Sequence, residues 1–225
     1  MQFFSWPFSN HAFIKAAYKL LLAALVCFQA QAFDLDLNIL KQIKERFGEA
    51  ASERILSWQR IVRDNQQLEV AEKLELINHF FNKIRFISDE EHWQREDYWA
   101  TPIEMLATDG ADCEDYSIAK YFTLRELGIA DEQLKITYVK ALRLNQAHMV
   151  LAYYPSPGAE PLILDNLIND ILPASQRPDL APVYSFNGEG LWLSKLSSQE
   201  GKRIGEASKL KNWQDNMTRH NRLFK

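Results

Sequence analysis

The chain has 225 residues, 47% of them hydrophobic and 25% charged, with a formal net charge of −4. That mixture excludes a disordered or low-complexity chain, and the acid excess argues against a nucleic-acid surface, which is usually basic. Its 2 cysteines are too few for a disulfide scaffold or a four-thiolate zinc site.

Residues 1–32 read as a secretory signal peptide. Lys15 and Lys19 give the positive flank, residues 20–28 (LLLAALVCF) the apolar run, and Ala30-Gln31-Ala32 a small-x-small cleavage site. A membrane anchor is the rival reading, but the run after Lys19 is far shorter than the roughly 20 residues that span a bilayer. A lipoprotein signal at Cys27 is a third, although Ala24-Leu25-Val26 matches such a signal poorly. Cleavage after Ala32 removes two lysines and no acid, which moves the net charge from −4 to −6. It also removes Cys27 and leaves Cys113 alone in an oxidising compartment. A lone exported thiol is either a buried hydrophobe or a reactive group, and its surroundings decide which.

The remaining residues, 33–225, read as a single domain with a helical N-terminal part. Over residues 34–87, Leu68, Ala71 and Leu74, with Val70, Ile77, Phe81 and Ile84, recur at the three- and four-residue spacing of one buried helix face. Residues 88–99 (SDEEHWQREDYW) are polar and aromatic and read as a loop. Thr101, Pro102 and Glu104 predict a helix start with a capping box, and Asp109-Gly110 a turn. A second helix is predicted from Asp112 to Leu127, stopped by Gly128, with Ile118, Ala119, Phe122 and Leu127 inward. Strand-like runs follow over residues 134–142, 147–154 and 162–164, with a further extended piece over 177–186. In the tail from Ser197, Ile204, Leu210, Trp213 and Met217 fit a loose helical stripe, read as a surface helix packed on the body. Helices followed by an antiparallel meander predict an α+β fold.

Cys113 falls at the start of the second helix, where unpaired amides and the helix dipole favour a thiolate. The same amides suit an oxyanion. His148, on an apolar strand, is costly to bury without a partner, and Asp165 ends the next strand, within hairpin reach of it. Together they predict a Cys113-His148-Asp165 triad. Three acids, Asp112, Glu114 and Asp115, adjoin the sulfur and disfavour its ionisation. The plain reading is dipole-complementing charges at a helix start. The sharper one is that Asp112 and Glu114 project to the sides, away from the sulfur, and hold a metal ion, with calcium the hard cation that suits them.

Tyr98-Trp99-Ala100-Thr101-Pro102 with Glu104, then Asp112-Cys113-Glu114-Asp115-Tyr116, Ala147-His148-Met149-Val150-Leu151 and Leu164-Asp165-Asn166, resemble in that order the bacterial transglutaminase-like cysteine proteinases. The resemblance covers residues 93–192. It implies a papain-like, transglutaminase-type core with helices packed on an antiparallel sheet. It implies Cys113 as nucleophile, His148 as base, Asp165 as orienting acid, and calcium as cofactor through Asp112 and Glu114. It further implies a periplasmic endopeptidase that cleaves the N-terminal region of a large surface adhesin at a di-alanine site, releasing cells from biofilm. The implied partner is an inner-membrane cyclic-di-GMP receptor of the LapD type, which sequesters the protease. One departure is Ala111, where the family pattern suggests glycine. The competing readings are a transglutaminase or deamidase acting on protein glutamine, and a catalytically dead binding module.

Overall fold

The described part of the chain opens with three helices, α1 (Leu37–Phe47), α2 (Glu49–Asp64) and α3 (Val70–Phe81). The computed structural model describes residues 35–193 and 201–223, within one compact unit, Asp34–Lys225. The signal peptide and cleavage site expected over residues 1–32 lie outside the described residues. On α3 and just beyond it, Leu74, Ile77, Phe81 and Ile84 are buried as the spacing predicts, but Val70 and Ala71 face outward. Lys73 and Asn78 occupy inner positions because each finds a backbone acceptor. Lys73 Nζ donates to Leu127 O and Asn78 Nδ2 to Asn169 O, both at 2.9 Å.

β1 (Arg85–Phe86) pairs in parallel with β2 (Gly110–Ala111). Residues 88–99 are not simply a loop: they contain a short helix, α4 (Asp89–His92). Its first turn carries Asp89, Glu90 and Glu91, where the positive end of a helix favours acids. α5 (Pro102–Thr108) starts as predicted. Thr101 Oγ1 accepts from the Glu104 amide at 3.3 Å, and Glu104 Oε2 accepts from the Thr101 amide at 2.8 Å.

Gly110 is required by close approach: a Cβ there would lie 2.7 Å from His92 Cε1 and 2.9 Å from Ile87 Cδ1. That contact seats α4 against β2, and His92 Nε2 lies 2.8 Å from Thr108 Oγ1. Ala111, by contrast, needs no glycine, since it lies in the short β2 strand without a positive φ.

α6 (Cys113–Glu126) ends at Leu127, and Gly128 follows with φ 87°, the left-handed turn that closes helices. Ile118, Ala119, Phe122 and Leu127 are buried as predicted, but so is every residue over 114–124. α6 is a central helix, packed by α3, α5 and the sheet, rather than one with a single inner face.

The sheet has seven strands: β3 (Leu134–Ala141), β4 (Gln146–Tyr153), β5 (Leu162–Leu164), β6 (Leu172–Pro173), β7 (Leu180–Phe186), β8 (Leu191–Leu193) and β9 (Lys202–Gly205). Their order is β6-β5-β4-β3-β7-β8-β9, antiparallel throughout. The strands are thus not one meander. Pro173 in β6 has no amide to extend the ladder, and the chain returns to pair β7 with the other side of β3.

The C-terminal helix α7 (Lys211–Leu223) packs on the body through Trp213, whose ring stacks on Phe122 at 5.6 Å. Ile204, expected on that helical stripe, instead lies in edge strand β9 and is 42% exposed. Among the described residues no helix is long and apolar enough to cross a membrane.

Candidate active site

Cys113 opens α6, with Asp112 as N-cap. Asp115, one turn in, fastens this corner. Its Oδ2 accepts from the Asp112 amide at 3.3 Å and its Oδ1 from the Ala100 amide at 2.6 Å. The sulfur faces a cleft of about 250 Å³ lined also by Asp97, Trp99, Tyr138, His148 and Tyr184. Tyr138 on β3 and Tyr184 on β7 are cross-strand neighbours whose rings stack at 5.1 Å. The Met149 amide, next to His148, donates toward the sulfur.

The helix start alone predicts a thiol ionised with ease. Burial instead pushes the Cys113 thiol well above its ordinary value, and Glu114 adds to the effect. Nor does Glu114 project away from the sulfur: its Oε2 accepts a hydrogen bond from the thiol at 3.0 Å. A carboxyl that is 8% exposed needs a donor, and the neighbouring thiol supplies one.

His148 and Asp165 meet as the strand order predicts. β4 and β5 pair with Leu151 opposite Leu164, which brings the residue after β5 alongside the His148 strand. His148 Nε2 lies 2.8 Å from Asp165 Oδ1, and both residues are buried. The same oxygen accepts from the Leu167 amide at 3.0 Å. The other oxygen accepts from Arg177 Nη2 at 2.7 Å. Burial alone would raise the Asp165 carboxyl. The bond and charge of His148, with the Leu167 and Arg177 bonds, outweigh it and hold the group down at about 2.

Sequence reasoning missed Arg177, whose guanidinium is in turn gripped by Asp179, Nε to Oδ1 at 3.0 Å and Nη2 to Oδ2 at 2.9 Å. It missed Asn82, which donates from α3 to the Asp165 carbonyl at 2.8 Å. It also missed Lys120, 1% exposed on α6, whose charge faces Asp165. Burial brings that ammonium down to about 7, against the pull of Asp165. Nothing local marks Arg177 or Asn82; each acts across the fold.

The acids beside Cys113 form a cluster with one member the sequence did not suggest. Carboxylate oxygens of Asp89, Asp112 and Glu114 lie within 4.8 Å of one another. Asp112 and Glu114 were expected there; Asp89 comes from α4, and the run Asp89-Glu90-Glu91 behind Ser88 was the available signal for a helix start. Asp89 Oδ1 and Asp112 Oδ1 are buried with no hydrogen-bond partner. Burial, with the neighbouring acids adding, pushes Asp89 up to about 6 and Asp112 up to about 10. Carboxyl oxygens set facing each other, two of them buried without donors, are the hard donor set that a divalent cation satisfies. The residues present therefore fit calcium.

No curated protein matches the sequence. A family model for the bacterial transglutaminase-like cysteine proteinases matches residues 50–181. Among solved structures, Legionella pneumophila LapG is similar at 40% identity and a TM-score of 0.71, covering 85% of this chain and 99% of that one. Its EGTA-treated form is similar at 41% identity and a TM-score of 0.71, covering 82% and 97%. Its calcium-bound form is similar at 41% identity and a TM-score of 0.70, covering 83% and 99%.

Proposed function

The chain belongs to the bacterial transglutaminase-like cysteine proteinases, and from that membership we propose that it is a calcium-dependent endopeptidase working through Cys113, His148 and Asp165. The observation that carries the reading is the buried His148–Asp165–Arg177 chain beside the Cys113 cleft. With Asp165 held ionised, His148 Nε2 donates to it, and Nδ1 is the nitrogen left to accept a proton.

In the first step Nδ1 takes the Cys113 proton as the sulfur bonds to the scissile carbonyl carbon. The carbonyl electrons move to oxygen, and amides at the start of α6 stabilise the oxyanion. The C–N bond then breaks as the imidazolium protonates the departing amine. Water, deprotonated by the same nitrogen, releases the acyl group and restores the thiol. Asp165 holds the ring and balances the imidazolium, as the third member of such triads does. Calcium held by Asp89, Asp112 and Glu114 would supply positive charge beside a sulfur that the acids otherwise disfavour.

The substrate in this reading is a large surface adhesin, cut near its N-terminus at a di-alanine to disperse biofilm. The site of action is the periplasm, reached through the signal at residues 1–32, under the control of a LapD-type receptor. Support comes from the ordered motifs and from the likeness to Legionella LapG. Calcium is supported by the acid cluster and by the calcium-bound form of that relative. The test is gel cleavage of an adhesin N-terminal fragment. Wild type with calcium should cut it, while Cys113→Ala, or wild type in EGTA, should not. Cleavage persisting in Cys113→Ala would overturn the assignment. Incorporation of a labelled amine without cleavage would support the acyl-transfer alternative instead.

A further inference from the structure

The family match ends at residue 181, yet the helix beyond it, α7, reaches back to the cleft wall. Asn212, Asn216 and Arg219 are spaced i, i+4 and i+7, so they share one face of α7. All three act on residues 97–100. Asn212 Nδ2 donates to Asp97 Oδ2 at 2.7 Å. Asn216, 0% exposed, donates through Nδ2 to the consecutive carbonyls of Trp99 and Ala100, both at 2.9 Å. Arg219 donates to the Trp99 carbonyl and lies over the Tyr98 ring at 4.6 Å.

Asp97 and Trp99 form one wall of the Cys113 cleft. Trp99 Nε1 donates to Asp97 Oδ1 at 2.9 Å, which ties the two side chains together. Two bonds to consecutive carbonyls hold the two peptide planes on either side of Ala100. Holding those planes anchors the backbone from which the Trp99 side chain leaves, and the bond to Asp97 ties down the ring. An asparagine costs helix propensity and is expensive to bury, the more so here because Asn216 Oδ1 is buried with no hydrogen-bond partner; an apolar residue would serve better if α7 only covered the core. Trp213, on the adjacent stripe, already does that against Phe122 and Phe186.

We infer that α7 is a positioning element for the substrate-binding wall, with Asn216 as the residue that orients Trp99 and Asp97 toward the cleft. The inference rests on the cleft being the protease site. It is tested on the full chain with calcium, using the adhesin fragment for steady-state kinetics and iodoacetamide as a small probe of Cys113. In Asn216→Ala, KM should rise roughly tenfold, the penalty for a missing buried donor, with kcat and the alkylation rate within about twofold of wild type. Asn212→Ala, which removes an exposed bond and leaves the fold alone, should raise KM in the same direction by a smaller factor. Should Asn216→Ala fail to fold, Asn212→Ala decides. An unchanged KM in the folded variants, or a fall in kcat and alkylation at unchanged KM, overturns the inference and leaves α7 a structural cover. A Cys113→Ala protein that still cleaves overturns the cleft assignment and this inference with it. An inactive Cys113→Ala alongside an unchanged KM overturns this inference alone.

Discussion

Asp165 accepts three hydrogen bonds on two oxygens; His148 does most to hold its charge, and Arg177 is the donor no motif announces. Arg177 offers a planar fork that engages Asp165 and Asp179 together; lysine keeps the charge and loses the fork. Arg177→Lys should therefore fold, as judged by near-ultraviolet circular dichroism, and lose about ten- to a hundredfold in kcat, because a misoriented Asp165 misplaces His148. Wild-type turnover in that variant would show that Arg177 is only a structural ion. The Asp165 charge also has a sign in stability. Its folded pKa of about 2 lies below the ordinary carboxylate value. The native state therefore gains stability that is complete above about pH 4 and is lost as pH falls through the folded value, on the order of 2 kcal/mol in all. Asp165→Asn should accordingly be less stable than wild type at pH 7, with the gap narrowing as thermal melts are taken from pH 4 down to pH 2. A gap independent of pH would mean that packing, not charge, sets it.

Among the elements, α4 is the one whose position depends on a single missing side chain. Gly110 lets the His92 ring approach β2, and α4 carries Asp89 into the acid cluster. A methyl at position 110 must push His92 and the helix outward. Gly110→Ala should weaken calcium binding by about tenfold, the scale of a disturbed ligand support, measured by titration calorimetry. Gly128→Ala makes the control: its φ of 87° makes any side chain unfavourable, so it should cost about 1 kcal/mol of stability and leave calcium affinity unchanged. Equal affinities in the two variants would detach α4 from the metal site. The helix starts themselves were legible, because Thr101, Pro102 and Glu104 act within four residues. The face of α3 was legible only in part, since Lys73 and Asn78 are buried by acceptors on distant segments, Leu127 and Asn169.

For the whole molecule, two buried carboxylates and a half-buried one set together are a cost of folding that a cation offsets. Calcium at a hundred times its dissociation constant should stabilise the fold by about 2.7 kcal/mol. For a domain of this size that corresponds to a rise of about 5–10 °C in the melting temperature. Asp89→Ala should lose most of the rise; in EGTA the repelling charge it sheds is set against the Tyr98 amide, which loses its acceptor. The same rise in the variant would place the ion elsewhere. A second prediction concerns the proposed export. Intact-mass measurement of periplasmic protein should show a chain beginning at Phe33, and a membrane-bound full-length product would support the anchor reading.

Sequence by itself determined what depends on neighbours along the chain: the capping box at Thr101, the stop at Gly128, and Cys113 at a helix start among three acids. It also determined the strand pair that brings His148 and Asp165 together, because consecutive strands joined by a Pro- and Gly-rich turn pair as antiparallel neighbours. Tertiary structure alone decided what depends on partners far apart in the chain. It turned Glu114 onto the sulfur, brought Asp89 to the acids and Arg177 to Asp165, returned β7 to β3, and laid the Asn212, Asn216 and Arg219 face of α7 against residues 97–100. The physical reason is common to all of these. A buried charge or amide is stable only where the fold supplies its complement, and that complement leaves no periodicity or spacing in the segment that receives it.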